Sequence, residues 1–423
     1  MSRNDGEVQG LSRGDLGPEY RKLWAASTVS NLGDGVTVVA GPLLVASLTR
    51  DPVLVAGIAF AQRVPWLLFS LVSGALVDRL DRRRLMVVVD VFRMVLFGFL
   101  GLAVLMDFVS IPLLYAVFFF MGTAETLFDT ASVSILPAVL QRDCLEKANG
   151  RLLGGQIVSN ELAAPPLGGF LFAVAASVPF FLDAGTFAAA AALVLFMRGN
   201  FRVERQEGTP PTTLRAEISE GIRWLWGNRL LRTLAVSLGI MNLTMTATIS
   251  IFVLFAQERL GLGSLGYGVL LTSVAVGGIA GSLAAERLVG WLGAGTIMRI
   301  GLLIEAASTS VIALSHEPLV VGVMLALFGF HAIVWNVVTI SLRQQIIPER
   351  LLGRVNSAYR LLGLGGMSAG AILGGVLARG FGLTAPFWFA SLSVTVLAVV
   401  VWPILSNETI RATRENAPSA SVQ

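Results

Sequence analysis

Gly74–Arg84 reads GALVDRLDRRR and stands between two long apolar stretches. Arg79, Arg82, Arg83 and Arg84 cannot enter hydrocarbon, where one arginine at the middle of a helix costs about 2.5–3.5 kcal/mol on insertion scales. The segment is therefore a loop, and its positive charge marks it as cytoplasmic. The flanking stretches must then be membrane-spanning helices, which decides the fold class.

The rest of the chain has the matching composition. Of 423 residues 55% are hydrophobic and 14% charged, against about 25% charged in soluble domains. The mean hydropathy is +0.75. Forty-five glycines suit close helix packing in lipid. The net charge of +4 does not argue for nucleic acid, because the arginines fall in short loops between apolar spans. Cys144 is the only cysteine, which excludes an internal disulfide, and His316 and His331 make no ligand-spaced pair. No metal site or cofactor is expected. No phosphate-cradling glycine loop is visible, so direct drive by ATP is not expected either.

At about 20 apolar residues per crossing, twelve helices are predicted: 22–48, 53–77, 85–106, 111–136, 150–176, 179–197, 231–257, 265–289, 295–314, 318–342, 352–378 and 385–405. The fold class is an all-α membrane protein of two six-helix, pseudo-symmetric bundles. The parts are an N-terminal tail (1–21), a first bundle (22–198), a linker (199–230), a second bundle (231–406) and a C-terminal tail (407–423). Arginines crowd alternate loops, at 79–84, 198–229, 287–299 and 343–354, which puts both termini in the cytoplasm. Within the linker, Leu214, Ile218, Ile222 and Leu225 recur at helical spacing and predict an amphipathic helix on the inner membrane surface.

The bundles repeat one another faintly, as the halves of secondary transporters do. Leu145-x-x-x-Asn149 resembles Leu352-x-x-x-Asn356, and Leu167-Gly168-Gly169 resembles Leu373-Gly374-Gly375. The spacing between the two motifs is one residue longer in the first copy. Gly281–Arg287 is a degenerate copy of the Gly74 loop.

Ionisable residues inside spans are costly and so are functional candidates. Asn31 and Asp34 share a face of the first helix, and Glu125 and Asp129 a face of the fourth. A carboxyl group exposed alternately to the two sides can carry a proton. Asp34 is the first candidate for that role, with Glu125 and Asp129 after it. The alternative for Asp34 is a structural hydrogen bond or an ion pair with Arg63. Arg63 could equally hold a substrate anion. Asn31, Arg63, Phe128, Asn242, His331 and Trp335 are candidates for a substrate cavity, although His331 packed with Trp335 could be simply a satisfied polar residue. Phe252 and Phe255 could face the cavity or lipid. Glu161 and Glu305 are expected to pair with neighbouring helices. Pro165, Pro166, Gly168 and Gly169 suit a bending, tightly packed fifth helix.

Several of these segments carry a family resemblance over nearly the whole chain. Gly74-x-Leu76-x-Asp78-Arg79-x-x-Arg82-Arg83-Arg84 resembles the loop between helices 2 and 3 of the major facilitator superfamily. Asn31–Gly35, Ala124–Asp129, Leu136-Pro137 and Ala148–Leu152 resemble segments of the branch holding enterobactin-type siderophore exporters, macrolide efflux pumps and actinobacterial multidrug pumps. Ala164–Gly169 is similar to a Gly-Pro-x-x-Gly-Gly antiporter motif, with Ala164 in place of the first glycine. The resemblance implies a proton-coupled antiporter, not an enzyme, that expels amphipathic small molecules across a bacterial inner membrane. It implies that helices 1, 4, 7 and 10 line the cavity and that Gly74, Asp78, Arg79, Arg82, Arg83 and Arg84 form a gating latch, which Asp90 and Arg93 could join. Its partners would be the lipid bilayer, protons and the substrate, with a monomer as the expected unit. A nutrient importer or a lysophospholipid transporter of the same fold is the alternative.

Overall fold

The computed structural model describes residues 16–77, 80–140, 144–198 and 214–415. The helices are α1 (Gly17–Leu48), α2 (Pro52–Val77), α3 (Arg82–Leu105), α4 (Ile111–Val139), α5 (Leu145–Gln156), α6 (Ala164–Val174) and α7 (Val178–Leu195). They continue as α8 (Leu214–Gly227), α9 (Arg229–Ile249), α10 (Ser264–Leu292), α11 (Ala294–Leu314), α12 (Pro318–Ile346), α13 (Glu349–Phe381), α14 (Ala385–Val401) and α15 (Asn407–Glu415). No strand occurs among the described residues.

Among the described residues eleven spans are long and apolar enough to cross a bilayer; one of them joins α5 to α6. The twelfth, α14, has 17 residues, about 25 Å at 1.5 Å per residue, and is continued by a turn that reaches the buried Leu405. The fold is therefore all-helical with twelve crossings, because hydrocarbon admits only segments that satisfy their own backbone.

Packing divides the chain into two compact units. The first is Met1–Gly41 with Leu68–Arg205, and the second is Pro42–Leu67 with Gln206–Gln423. The division differs from a cut at the linker, because the end of α1 and the first half of α2 pack with the second unit. There Gly375 of α13 lies against the backbone of Val53. In the same unit Asp51 pairs with Arg379 at 3.5 Å, and Arg50 donates to Gln257 Oε1 at 2.6 Å.

The predicted amphipathic helix forms as α8, and part of it packs on α13. Gly221 lies on the backbone of Arg354 in α13, Glu220 pairs with the Arg354 side chain, and Leu225 is buried. Ile222 and Trp226 remain exposed. The expected C-terminal tail begins with a short helix, α15, anchored by buried Ile410. Its Asn407 accepts from the amide of Gly295 at 2.8 Å.

The internal repeat has a physical basis. Gly168 of α6 packs against the backbone of Val36 in α1, and Gly374 of α13 against the backbone of Ala247 in α9. Each repeat thus uses the same glycine to seat its fifth helix on its first. The extra residue of the first copy is also accounted for. Ile157–Ala163 is π-helical, whereas α13 runs unbroken through the equivalent stretch. A π turn closes over one residue more than an α turn, and here the Ala164 amide donates to Ser159 O, five residues back. Pro165 and Pro166 have no amide to offer the preceding turn, which favours the wider turn. The insertion is absorbed and Gly168 keeps its register.

This account predicts unequal tolerance of deletions. Removing Leu162 should restore α geometry and leave membrane yield and melting temperature close to those of the parent, within about 5 °C. Removing Leu364 should turn Gly366, Gly370 and Gly374 off α9 and reduce yield several-fold. Equal loss in both variants, read by fluorescence-detected size exclusion, would refute it.

Candidate functional site

In the first unit the ionisable residues converge on Arg93. Three apolar turns of α3 carry Asp90 and Arg93 one turn apart, both fully buried. The Arg93 guanidinium lies between the rings of Phe128 and Phe187, at 5.1 and 5.0 Å. Its Nη1 is 4.0 Å from Asp90 Oδ1. It is in electrostatic reach of Asp34, Asp90, Glu125 and Asp129 together. Asp34 in turn senses Asp183, Glu125 and Asp129 as well as Arg93.

Asn31-Leu32-Gly33-Asp34-Gly35 has its pattern because Asp34 must sit in a crowd. A side chain at Gly33 would strike the Asp183 carboxylate and the Thr186 hydroxyl of α7. One at Gly35 would strike Asn160 O in the π segment. The two glycines thus let α7 and the π turn close in on either side of Asp34. Asp183 accepts from Thr37 Oγ1 at 2.6 Å and from Thr186 Oγ1 at 3.1 Å. Sequence reading missed Asp183, although an aspartate in the sixth apolar span was visible to the rule that nominated the others.

Other sites differ from expectation. Arg63 is exposed, and the arginine that faces Asp34 is Arg93. Asp90 and Arg93 lie in the core of the first unit, not in the loop network. Phe128 is buried against Arg93, and Phe252 and Phe255 are buried with Phe387 in the second unit, so none of the three is an open cavity wall. Asn31 donates to Ser27 O of its own helix at 2.7 Å. Glu125 is half-buried and Asp129 exposed on α4. Pro165, Gly168 and Gly169 are buried, with Pro166 half-buried, at the start of α6.

Asp78 and Arg79 lie outside the described residues. A β-carbon at Gly74 would meet nothing within 4 Å. The capping aspartate of this loop is Asp81, which accepts from the Arg84 amide at 3.0 Å and starts α3. Arg82 donates to Ser134 O and Arg83 to Met197 O, both at 2.6 Å. Arg84 is exposed. Two loop arginines thus hold carbonyls near the ends of α4 and α7, where the helix dipole is negative.

The remaining nominated residues, Asn242, His331 and Trp335, line one cavity of about 530 Å³ in the second unit, together with Glu305, Arg343 and Tyr359. Asn242 Nδ2 donates to Gly363 O at 3.3 Å.

Comparison with known proteins agrees with this architecture. The family model for transmembrane secretion effectors matches residues 17–421. The multidrug efflux pump Tap of Mycolicibacterium fortuitum is 29% identical over 91% of this chain and 95% of its own length. The enterobactin exporter EntS of Escherichia coli O1:K1 / APEC is 23% identical over 85% of each chain. Among solved structures, nucleoside transporter NupG superposes with a TM-score of 0.73 at 10% identity, covering 92% of this chain and 99% of its own. A bacterial homologue of the iron transporter ferroportin in the inward-facing state gives 0.72 at 17%, covering 92% and 98%. The structural likenesses establish the fold alone. The protein is a multi-pass membrane transporter of an efflux family, not an enzyme.

Removing Arg93 should expose how much this cluster depends on it. Arg93→Ala leaves buried acids without their shared cation and should destabilise the fold by about 3–5 kcal/mol, seen as a lower melting temperature in detergent. Adding Asp90→Asn should recover part of that loss. Absence of recovery would dissociate Asp90 from the Arg93 network.

Proposed function

This chain belongs to the transmembrane secretion effectors of the major facilitator superfamily, and we propose that it exports amphipathic small molecules in exchange for protons. The observation that carries the reading is the imbalance around Arg93. One guanidinium is in electrostatic reach of Asp34, Asp90, Glu125 and Asp129, and Asp90 is fully buried beside it. Buried charge is tolerated at membrane depth only when it is neutralised, and one arginine cannot balance both Asp34 and Asp90. In this reading an exchangeable proton makes up the difference.

Asp34 is the proton carrier of this scheme, because it is in electrostatic reach of Arg93 and adjoins Gly35, which packs on the π segment. Glu125 and Asp129 are its alternates on α4. Protonation removes the attraction that holds Asp34 to Arg93, and so biases one arrangement of the unit over another. A proton site can drive transport only through such a differential effect on two conformations. Arg82 and Arg83 act as latches on helix ends, and Pro165 with Gly168 lets the fifth crossing bend. The arginine-rich loops face the cytoplasm, as do both termini.

The energy suffices. One charge crossing 100 mV yields about 2.3 kcal/mol, which sustains a roughly 50-fold gradient of a neutral substrate at about 1.36 kcal/mol per tenfold. The outward direction is supported by the relatives, a multidrug efflux pump and an enterobactin exporter.

Inverted vesicles energised by respiration test the reading, with fluorescent dyes, macrolides, tetracyclines and siderophores as the panel. Uptake of a panel compound should dissipate the pH gradient, and Asp34→Asn should abolish that dissipation. Coupling that survives in the variant would move the proton site to Glu125 or Asp129. No movement of any compound would refute export of this class.

A further inference from the structure

The second unit holds another buried acid, which the scheme above does not use. Glu305 stands in the middle of α11 and His331 in the middle of α12, with 1% and 3% of their surfaces exposed. Glu305 Oε2 and His331 Nε2 are 3.4 Å apart. Gly301, one turn before Glu305, makes room for the imidazole: a β-carbon there would lie 3.4 Å from His331 Nδ1. The ring of Phe328 meets the imidazole edge-on at 5.4 Å.

The facing atoms have no other partner. Glu305 Oε2, both imidazole nitrogens and Trp335 Nε1 are buried without a hydrogen-bond partner. All three residues line the 530 Å³ cavity, beside Leu238, Met241 and Met245. Buried polar groups are nearly always partnered, and four orphans on one cavity wall point to something that occupies it.

The surrounding charges do not supply the partner. Arg343, three turns along α12 from His331, donates from Nη1 to Asn356 Oδ1 at 2.8 Å and stacks on Tyr359, while its Nε is likewise buried without a partner. Arg360 stacks over Trp66. Tyr359 directs its hydroxyl towards Leu234 O. On the far side of α11, α14 has no ionisable side chain. Tyr267, Glu286 and Arg287 of α10, and the charged residues of α15, do not line the cavity.

Proton counting then decides the state of the pair. An ionised Glu305 beside a neutral His331 is a buried anion whose Oε2 has no hydrogen-bonded partner, the costly case. Adding one proton removes it in either of two ways, as a neutral acid beside a neutral imidazole or as a carboxylate beside an imidazolium. We propose that Glu305 and His331 form a second proton-binding site, holding one proton between them and releasing it when a ligand bearing a protonated amine enters the cavity. On release an O–H or N–H bond breaks, the proton passes to water, and the ligand's ammonium takes its place on the carboxylate, so the charge of the site is unchanged. No electrons move. The apolar lining and Trp335 suit a drug-sized amphipathic molecule. What the released proton accomplishes rests on the exporter reading; whether the pair binds one does not.

The chain has only two histidines, which makes the test direct. Purified full-length protein in lipid nanodiscs, labelled with ¹⁵N only at histidine, should give two imidazole signals. His316→Gln assigns the one from exposed His316. The His331 signal and the infrared carboxyl band of Glu305, protonated or ionised, are expected to change over one common pH interval, as a coupled pair must. Glu305→Gln should remove that band and displace the His331 transition, leaving the His316 signal unmoved. If Glu305→Gln does not fold, His331→Gln should displace the carboxyl band instead. A His331 midpoint indifferent to Glu305, or no titration of either group over the folded range, overturns the proposal. Wild-type protein that titrates as a pair yet moves no compound in vesicles would refute the exporter reading and leave the site standing.

Discussion

Hydrocarbon offers no hydrogen bond, and that constraint governs every polar group in this protein. Peptide groups inside the spans satisfy one another along helices, but the last carbonyls of each helix have no partner of their own. Arginine fills the gap repeatedly. Arg83 holds Met197 O, Arg259 reaches Ala313 O and Ser315 O, and Arg299 reaches Trp402 O. The fork of donors on each guanidinium suits this work better than a single ammonium, in a chain that has only Lys22 and Lys147 as lysines. These arginines are thus fasteners between neighbouring helices.

Arg93 answers the same constraint at the opposite extreme. It is not at a helix end but deep in the first unit, where aromatic faces cover it and acids from three other helices surround it. A lone buried arginine would be untenable, and so would the acids without it. Each is retained because the others are. Such mutual dependence is also what makes the cluster responsive, since changing the charge of one member alters the balance for all.

The twelve crossings were legible because hydropathy and loop arginines act along the chain, where sequence order is enough. The partners across the chain were less so. Asp34 stood out, but its arginine was sought on the second helix at Arg63 and lies on the third at Arg93. Both fit the same one-dimensional pattern, and only packing distinguishes them. Asp183 obeyed the rule for intramembrane acids and needed only its application. The pairing of Glu305 with His331 depends on which faces of two helices meet, information that neither helix carries alone. The role of Asp81 was hidden beside the more familiar Asp78, and α8 docked on α13 because Gly221 admits a backbone that its amphipathic pattern could not reveal.

The π turn at Ile157–Ala163 has a mechanical consequence. A helix that carries one surplus residue can place its hydrogen bonds in more than one way, while a regular helix of the same length has a single arrangement. Passing the surplus along would rotate the intervening residues by roughly 100° and advance them about 1.5 Å, at the cost of exchanging a few bonds rather than breaking the helix. The fifth crossing is therefore the softer of two otherwise matched springs, and its compliance lies beside Asp34, whereas α13 has no slack to give.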